Sequence, residues 1–73
     1  MNQLLGFNGK IIYDKDNDWY FKPYKLRINR NGEIYSYLIC ERIPDKVSMS
    51  YTLKQLRTEE QLKIIDENLY GLL

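Results

Sequence analysis

"TEEQLKIIDENLYG", residues 58 to 71, is the stretch whose assignment decides the fold. Its spacing predicts a helix. Thr58 as N-cap with Gln61 three residues on makes a capping box, in which each side chain satisfies a backbone N–H that the first turn leaves free. Glu59 and Glu60 put negative charge at the positive end of the helix dipole. Glu59 with Lys63, and Lys63 with Glu67, are spaced i,i+4 and add about 0.3 kcal/mol each. Leu62, Ile65 and Leu69 form one apolar stripe, with Ile64 at its border and Leu56 just before it. Gly71 followed by Leu72 fits a C-cap with its hydrophobic contact.

Such a stripe must be buried, and the chain upstream offers only strands to bury it against. "GKIIYD" (9 to 14) reads as a first strand and "DKDND" (14 to 18) as a polar turn, since Asp and Asn bond their own backbone there. A second strand runs from Trp19 to Asn29 and bends at Pro23, which has no N–H to give a neighbour. "EIYSYLICERI" (33 to 43) is a third strand, ending at a turn around Pro44. "VSMSYTL" (47 to 53) alternates Val47, Met49, Tyr51 and Leu53 with Ser48, Ser50 and Thr52, the pattern of a half-buried fourth strand.

"NRNG" (29 to 32) joins the second and third strands. A type I turn with Gly32 in the left-handed region makes Asn29 pair with Glu33. Ile28 then faces Ile34, Leu26 faces Ser36 and Tyr24 faces Leu38, while Lys25 and Arg27 stand opposite Tyr37 and Tyr35 on the other face. A two-residue Asn31-Gly32 turn would shift the register by one and mix the two sets. The first register is preferred because it leaves the cleaner amphipathic sheet. Trp19 and Phe21, before Pro23, are expected to help close the core.

The expected fold is therefore α+β: one small domain, residues 1–73, with an antiparallel sheet of three to four strands in meander order and one C-terminal helix packed on one face. One helix covers one face. The other stays open to water or to a partner.

Length and composition bound the rest. A chain of 73 residues buries only about 60% of its unfolded surface and supports a single core. With 44% apolar residues and ten aromatics it is richer in core-forming side chains than a disordered segment. Cys40 is alone and closes no internal disulfide, which points to a reducing compartment. The amino terminus has no basic n-region before an apolar run, and no stretch approaches a membrane span. A cytoplasmic protein without membrane contact is expected. The chain has no Ala and no His, while Ile, Tyr, Lys and Asn supply 28 residues. That is the bias of an A/T-rich genome, as of a low-GC bacterium, its phage or a mobile element.

Net charge is +1, with eight cations against six acids in residues 1–46 and three against four in 47–73. The chain is too neutral for a bulk nucleic-acid coat and not acidic enough to mimic DNA. Asp14, Asp16 and Asp18 have the spacing that opens an EF-hand calcium loop, but Trp19 stands where Gly is needed and Lys25 where a bidentate Glu is required. A solvated turn is the better reading. Without His there is no ordinary general base near neutral pH, and Cys40, inside a strand beside Ile39, reads as core packing. No phosphate-cradling loop, zinc spacing or dinucleotide fingerprint occurs. No catalytic, metal or cofactor site is expected, and the chain reads as a non-enzyme.

What remains is the run from Trp19 to Gly32, aromatic and basic without an acid. Lys25, Arg27, Tyr35 and Tyr37 share one sheet face and are the candidate partner-binding residues. Tyr and Arg are favoured anchors of protein interfaces, so a protein partner bound through that face or an edge strand is the leading expectation, as for a phage or mobile-element accessory protein. Bases also stack on sheet aromatics while Lys and Arg follow phosphates, so a small nucleic-acid-binding domain is the alternative. A sheet edge also admits homodimerisation. A short sheet followed by a C-terminal helix resembles, in plan only, the amino-terminal DNA-binding domains of some transposon recombinases. That likeness carries no residue motif and transfers no site.

Overall fold

The computed structural model describes residues 4–71. After a single 3-10 turn at Leu5–Phe7, the chain forms β1 (Lys10–Asp14), β2 (Trp19–Arg27), β3 (Tyr37–Ile43), β4 (Ser48–Thr52), α1 (Leu53–Thr58), β5 (Leu62–Asp66) and α2 (Glu67–Tyr70). The five strands make one antiparallel sheet in the order β4-β3-β2-β1-β5. The α+β class and the antiparallel sheet are as expected, and β1 to β4 follow the meander.

The C-terminal helix is not. Residues 62–66 are a strand, paired with β1 from Lys10↔Asp66 to Asp14↔Leu62. The reason lies in β1, which buries Ile11 and Ile12 on opposite faces of the sheet and would otherwise be an edge. β5 covers that edge, and two adjacent β-branched residues, Ile64 and Ile65, suit the pleat. Tertiary pairing thus overrides a helical signal worth a few tenths of a kcal/mol per pair. Neither predicted i,i+4 pair forms: Glu67 bonds Lys22 at 3.5 Å and Glu59 accepts from Gln61 at 2.7 Å. The apolar stripe is split, with Leu62 buried but Ile64 and Leu69 exposed. Gly71 caps α2 with φ −64°, outside the left-handed region. Its expected contact with Leu72 lies outside the described residues. The plan-level likeness to recombinase domains rested on this helix and falls with it.

The real capping box stands six residues earlier. Thr52 Oγ1 accepts from the Gln55 N–H at 3.0 Å and Gln55 Oε1 accepts from the Thr52 N–H at 2.8 Å, which opens α1 directly after β4. Thr58 ends that helix, its hydroxyl donating to the Lys54 carbonyl at 2.8 Å. From one edge strand α1 leads to the other, and Leu56 drops into the core on the way. Truncating Leu56 to Ala would cost about 2–5 kcal/mol.

That core is Ile12, Phe21, Leu38, Cys40, Tyr51, Leu56 and Leu62, with Leu4, Phe7, Leu26 and Leu53 packed against it. Tyr51 reaches across β3 to meet Phe21 edge-on, ring centroids 5.6 Å apart. Trp19 sits at the core rim rather than inside, edge-on to Phe21 at 6.3 Å and 37% exposed. The Arg42 guanidinium lies 4.5 Å from its ring and is held there by Asp45.

Candidate interaction surface

The sheet's second face is covered at one end only. Side chains alternate across a strand, so Ile11, Tyr13, Tyr20, Lys22, Lys25, Arg27, Tyr37, Ile39 and Ile65 share the face opposite the core. At the β1 end, Tyr13 stacks on Tyr20 (4.6 Å) and Tyr20 meets Tyr70 of α2 (5.0 Å), while Lys22 bonds Glu67. This second small cluster accounts for the burial of Ile11, which the main core does not include. A wholly open second face was expected. Only its β2-β3-β4 half is open.

Lys25, Arg27 and Tyr37 lie on that open half. Their register differs from the expected one: Arg27 stands opposite Tyr37, Lys25 opposite Ile39 and Leu26 opposite Leu38. Relative to the expected pairing the strands are offset by two residues, and an even offset keeps Lys25, Leu26, Arg27, Tyr37 and Leu38 on their predicted faces. The cause is the core. In the observed register Leu26 meets the fully buried Leu38, whereas the expected one would have given it Ser36. Pro23 marks a bulge as expected, with Tyr24 the extra residue between the Pro23↔Cys40 and Lys25↔Ile39 pairs.

The strands stop at Arg27 and Tyr37, leaving a nine-residue connection in place of a three-residue loop. The expected turn is still inside it: Gly32 donates to the Asn29 carbonyl at 3.1 Å and has φ 115°. What holds the connection is Ser36, 2% exposed. Its Oγ accepts from the Asn29 N–H at 2.8 Å and lies 3.2 Å and 3.0 Å from the Asn29 and Gly32 carbonyls. Its carbonyl accepts from Leu53 N–H of α1 at 2.9 Å. Glu33 is bound to Arg57 by two bonds of 3.1 Å to the guanidinium Nε and one more through Nη2.

This loop puts Tyr35 beside the strands. Arg27, Ile28, Asn29, Tyr35 and Tyr37 line one open concavity of about 350 Å³. Three of the four predicted residues therefore meet, and the fourth, Lys25, lies one row along the same face. Sequence reasoning missed Asn29 and Ile28 as lining and Ser36 as the support. The Asx-type bond from Asn31 N–H to Asn29 Oδ1, 2.8 Å, was the available signal, because Asn before a turn bonds its own backbone.

Among the described residues, four ion pairs join Lys10 to Asp66, Lys22 to Glu67, Arg42 to Asp45 and Arg57 to Glu33. Seven cations have no ion pair among the described residues, and three of them, Lys25, Arg27 and Arg30, belong to the stretch that forms the concavity; Glu33, three residues beyond Arg30, is committed to Arg57, whose guanidinium holds its carboxyl below the ordinary range.

The remaining sequence candidates are structural. Cys40 is sealed in the core, and burial pushes its thiol up to about 12. Asp14, 8% exposed, caps its own turn, accepting from Asp16 N–H at 3.1 Å and Asn17 Nδ2 at 2.9 Å. Asp18, in the left-handed region at φ 56°, accepts from the Tyr13 hydroxyl at 2.8 Å, and this bond raises the Tyr13 phenol to about 12. Among the described residues no group of acids, Cys or His is placed to hold a metal ion, and no helix is long and apolar enough to cross a membrane. No protein-family model matches the chain, and no curated protein or solved structure matches it.

Proposed function

We infer that the chain is a non-enzymatic interaction module that holds an acidic segment of a partner protein on the open half of the sheet. Tyr35 and Tyr37 are its anchors, Arg27 the cation inside the concavity, and Lys25 and Arg30 the cations flanking it. The observation that carries this reading is that Arg27, which has no ion pair among the described residues, lines one open concavity together with the exposed Tyr35 and the half-buried Tyr37. An open concavity that places one guanidinium beside two tyrosine rings suits a short peptide carrying carboxylates.

A nucleic-acid partner is the second reading, favoured by the same tyrosines as stacking platforms. It is the weaker one because Glu41, opposite Lys22 on this face, and Glu67 beyond it interrupt any basic track. Three cations correspond to a salt slope of only about −2 in log K against log salt for a single strand.

The Lys25→Glu, Arg27→Glu double variant tests both. A glutamate-rich, tyrosine-containing peptide, a single-stranded oligonucleotide and a duplex are titrated against each protein at low and moderate salt. The peptide is expected to bind the unmodified chain and to lose at least tenfold with the variant. Binding of the single strand without binding of the peptide transfers the site to nucleic acid, and equal binding by the variant removes it from this face.

A further inference from the structure

The ladder between β3 and β4 determines which backbone groups β4 turns outward. Arg42 donates to the Val47 carbonyl at 2.8 Å and Leu53 donates to the Ser36 carbonyl at 2.9 Å. In the register that pairs Tyr37 with Thr52 and Glu41 with Ser48, these contacts mark the hydrogen-bonded pairs. Bonded and non-bonded pairs alternate, so Met49 and Tyr51 also direct their N–H and C=O to β3. Ser48, Ser50 and Thr52 direct theirs away. The Thr52 N–H is taken by Gln55. Both groups of Ser48 and both of Ser50 stay open.

The opposite edge is nearly closed. Glu67 donates to the Gly9 carbonyl at 2.8 Å and Lys15 to the Gln61 carbonyl at 2.9 Å, which leaves Leu62, Ile64 and Asp66 outward on β5. Leu62 N–H already donates to the Glu59 carbonyl at 3.2 Å and Asp66 is the N-cap of α2. Ile64 alone offers both groups. β4, by contrast, carries no charge, Pro or bulge of the kind that guards an edge, and leaves Val47 49% and Met49 37% exposed on the core-side face.

We propose that two copies of the chain pair β4 with β4, antiparallel about a two-fold axis, in the register that sets Met49 against Met49 of the second copy. This inference is independent of the binding face above. In this register Ser48 of each copy exchanges both bonds with Ser50 of the other, and all four open groups on each chain are filled. Met49 and Met49 form a non-bonded pair, where side chains come closest, and Val47 meets Tyr51. Centring the pairing on Ser50 instead sets Ser48 against Thr52, whose N–H is committed, and Lys46 against Lys54. Because among the described residues the β5 edge is nearly closed, the assembly ends at two copies instead of growing into a filament. Two paired serines per chain make a small interface, so the dimer dissociates on dilution.

Sedimentation over a concentration series should show a monomer–dimer equilibrium with no larger species. Ser50→Pro removes an N–H that the fold itself does not use, and should be folded and monomeric throughout. Both cysteine variants are made in a Cys40→Ala background, which removes the thiol directly opposite position 49 on β3; there Met49→Cys should oxidise to a disulfide-linked dimer, because a directly opposed non-bonded pair lies within disulfide reach. Ser48→Cys, offset diagonally from its own copy, should fall well behind. A chain monomeric at millimolar concentration overturns the proposal, as do tetramers or fibres, or a dimer that persists in folded Ser50→Pro. If Ser50→Pro does not fold, the cysteine pair decides: equal cross-linking at positions 48 and 49 rejects this register.

Discussion

The backbone N–H of Asn29 donates to the Ser36 hydroxyl at 2.8 Å, and through that contact the two ends of the β2–β3 connection are fastened together. Ser36→Ala removes this part-buried bond at a buried position and should cost about 0.5–1.5 kcal/mol in urea unfolding. The same variant should broaden the amide resonances of residues 29–36 while those of β1 and β5 stay put. An unchanged midpoint would mean that the loop holds its shape without the hydroxyl.

Two threonines separate the true helix start from the apparent one. Thr52→Ala breaks a reciprocal capping box and should cost about 1 kcal/mol. Thr58→Ala removes only an exposed bond to the Lys54 carbonyl and should stay within about 0.5 kcal/mol. Equal losses in thermal or urea unfolding would put the cap back at Thr58.

Tyr51 carries a buried hydroxyl with no hydrogen-bond partner among the described residues, and burial pushes its phenol up to about 12. Removing a polar atom that has lost water and gained nothing is neutral or favourable. Tyr51→Phe should therefore keep or raise the urea midpoint. A loss above about 1 kcal/mol would show that the hydroxyl is bonded in solution.

Glu33 and Asp45 are both held below the ordinary carboxylate range, by hydrogen bonds from Arg57 and Arg42 respectively. Because the folded value lies below the unfolded one, the contribution is complete above the ordinary range and is lost as pH falls through the folded value. Melting temperature should be flat from about pH 8 to pH 5 and decline below about pH 4, more shallowly in Glu33→Gln and at high salt. Both groups are exposed, so the effect is small. An acid limb identical in Glu33→Gln would remove this pair as its source.

Cys40, buried with its thiol pushed up to about 12, should resist alkylation at pH 8 in the native protein and react at once in denaturant, since the thiolate is the reactive form. Fast native labelling would mean that the β3 core opens readily.

The sequence made the sheet legible and left its last strand hidden. Strict alternation in Val47–Leu53 and the Asn29–Gly32 turn were local signals, and both elements stand where they pointed. Residues 58–71 carried an equally local signal for a helix. The competing cause, a β1 with isoleucines buried on both faces and an uncovered edge, is non-local and has no mark in the stretch itself. The candidate face survived because the hairpin slipped by two residues, an even number. Tyr35 and Arg27 are expected as cross-strand partners but meet instead through a loop organised by Ser36, a residue the pattern sets opposite Leu26 on the apolar face without a mark of what its hydroxyl bonds.

The central claim is that the concavity of Arg27, Asn29, Tyr35 and Tyr37 is where a partner binds. The most direct measurement is a two-dimensional NMR titration of the isotope-labelled chain with the glutamate-rich, tyrosine-containing peptide. The expected result is a saturable set of shifts centred on Arg27, Asn29, Tyr35 and Tyr37 and extending to Lys25, with the β5 and α2 amides unmoved. Saturable shifts centred elsewhere, or none at millimolar peptide, would contradict it.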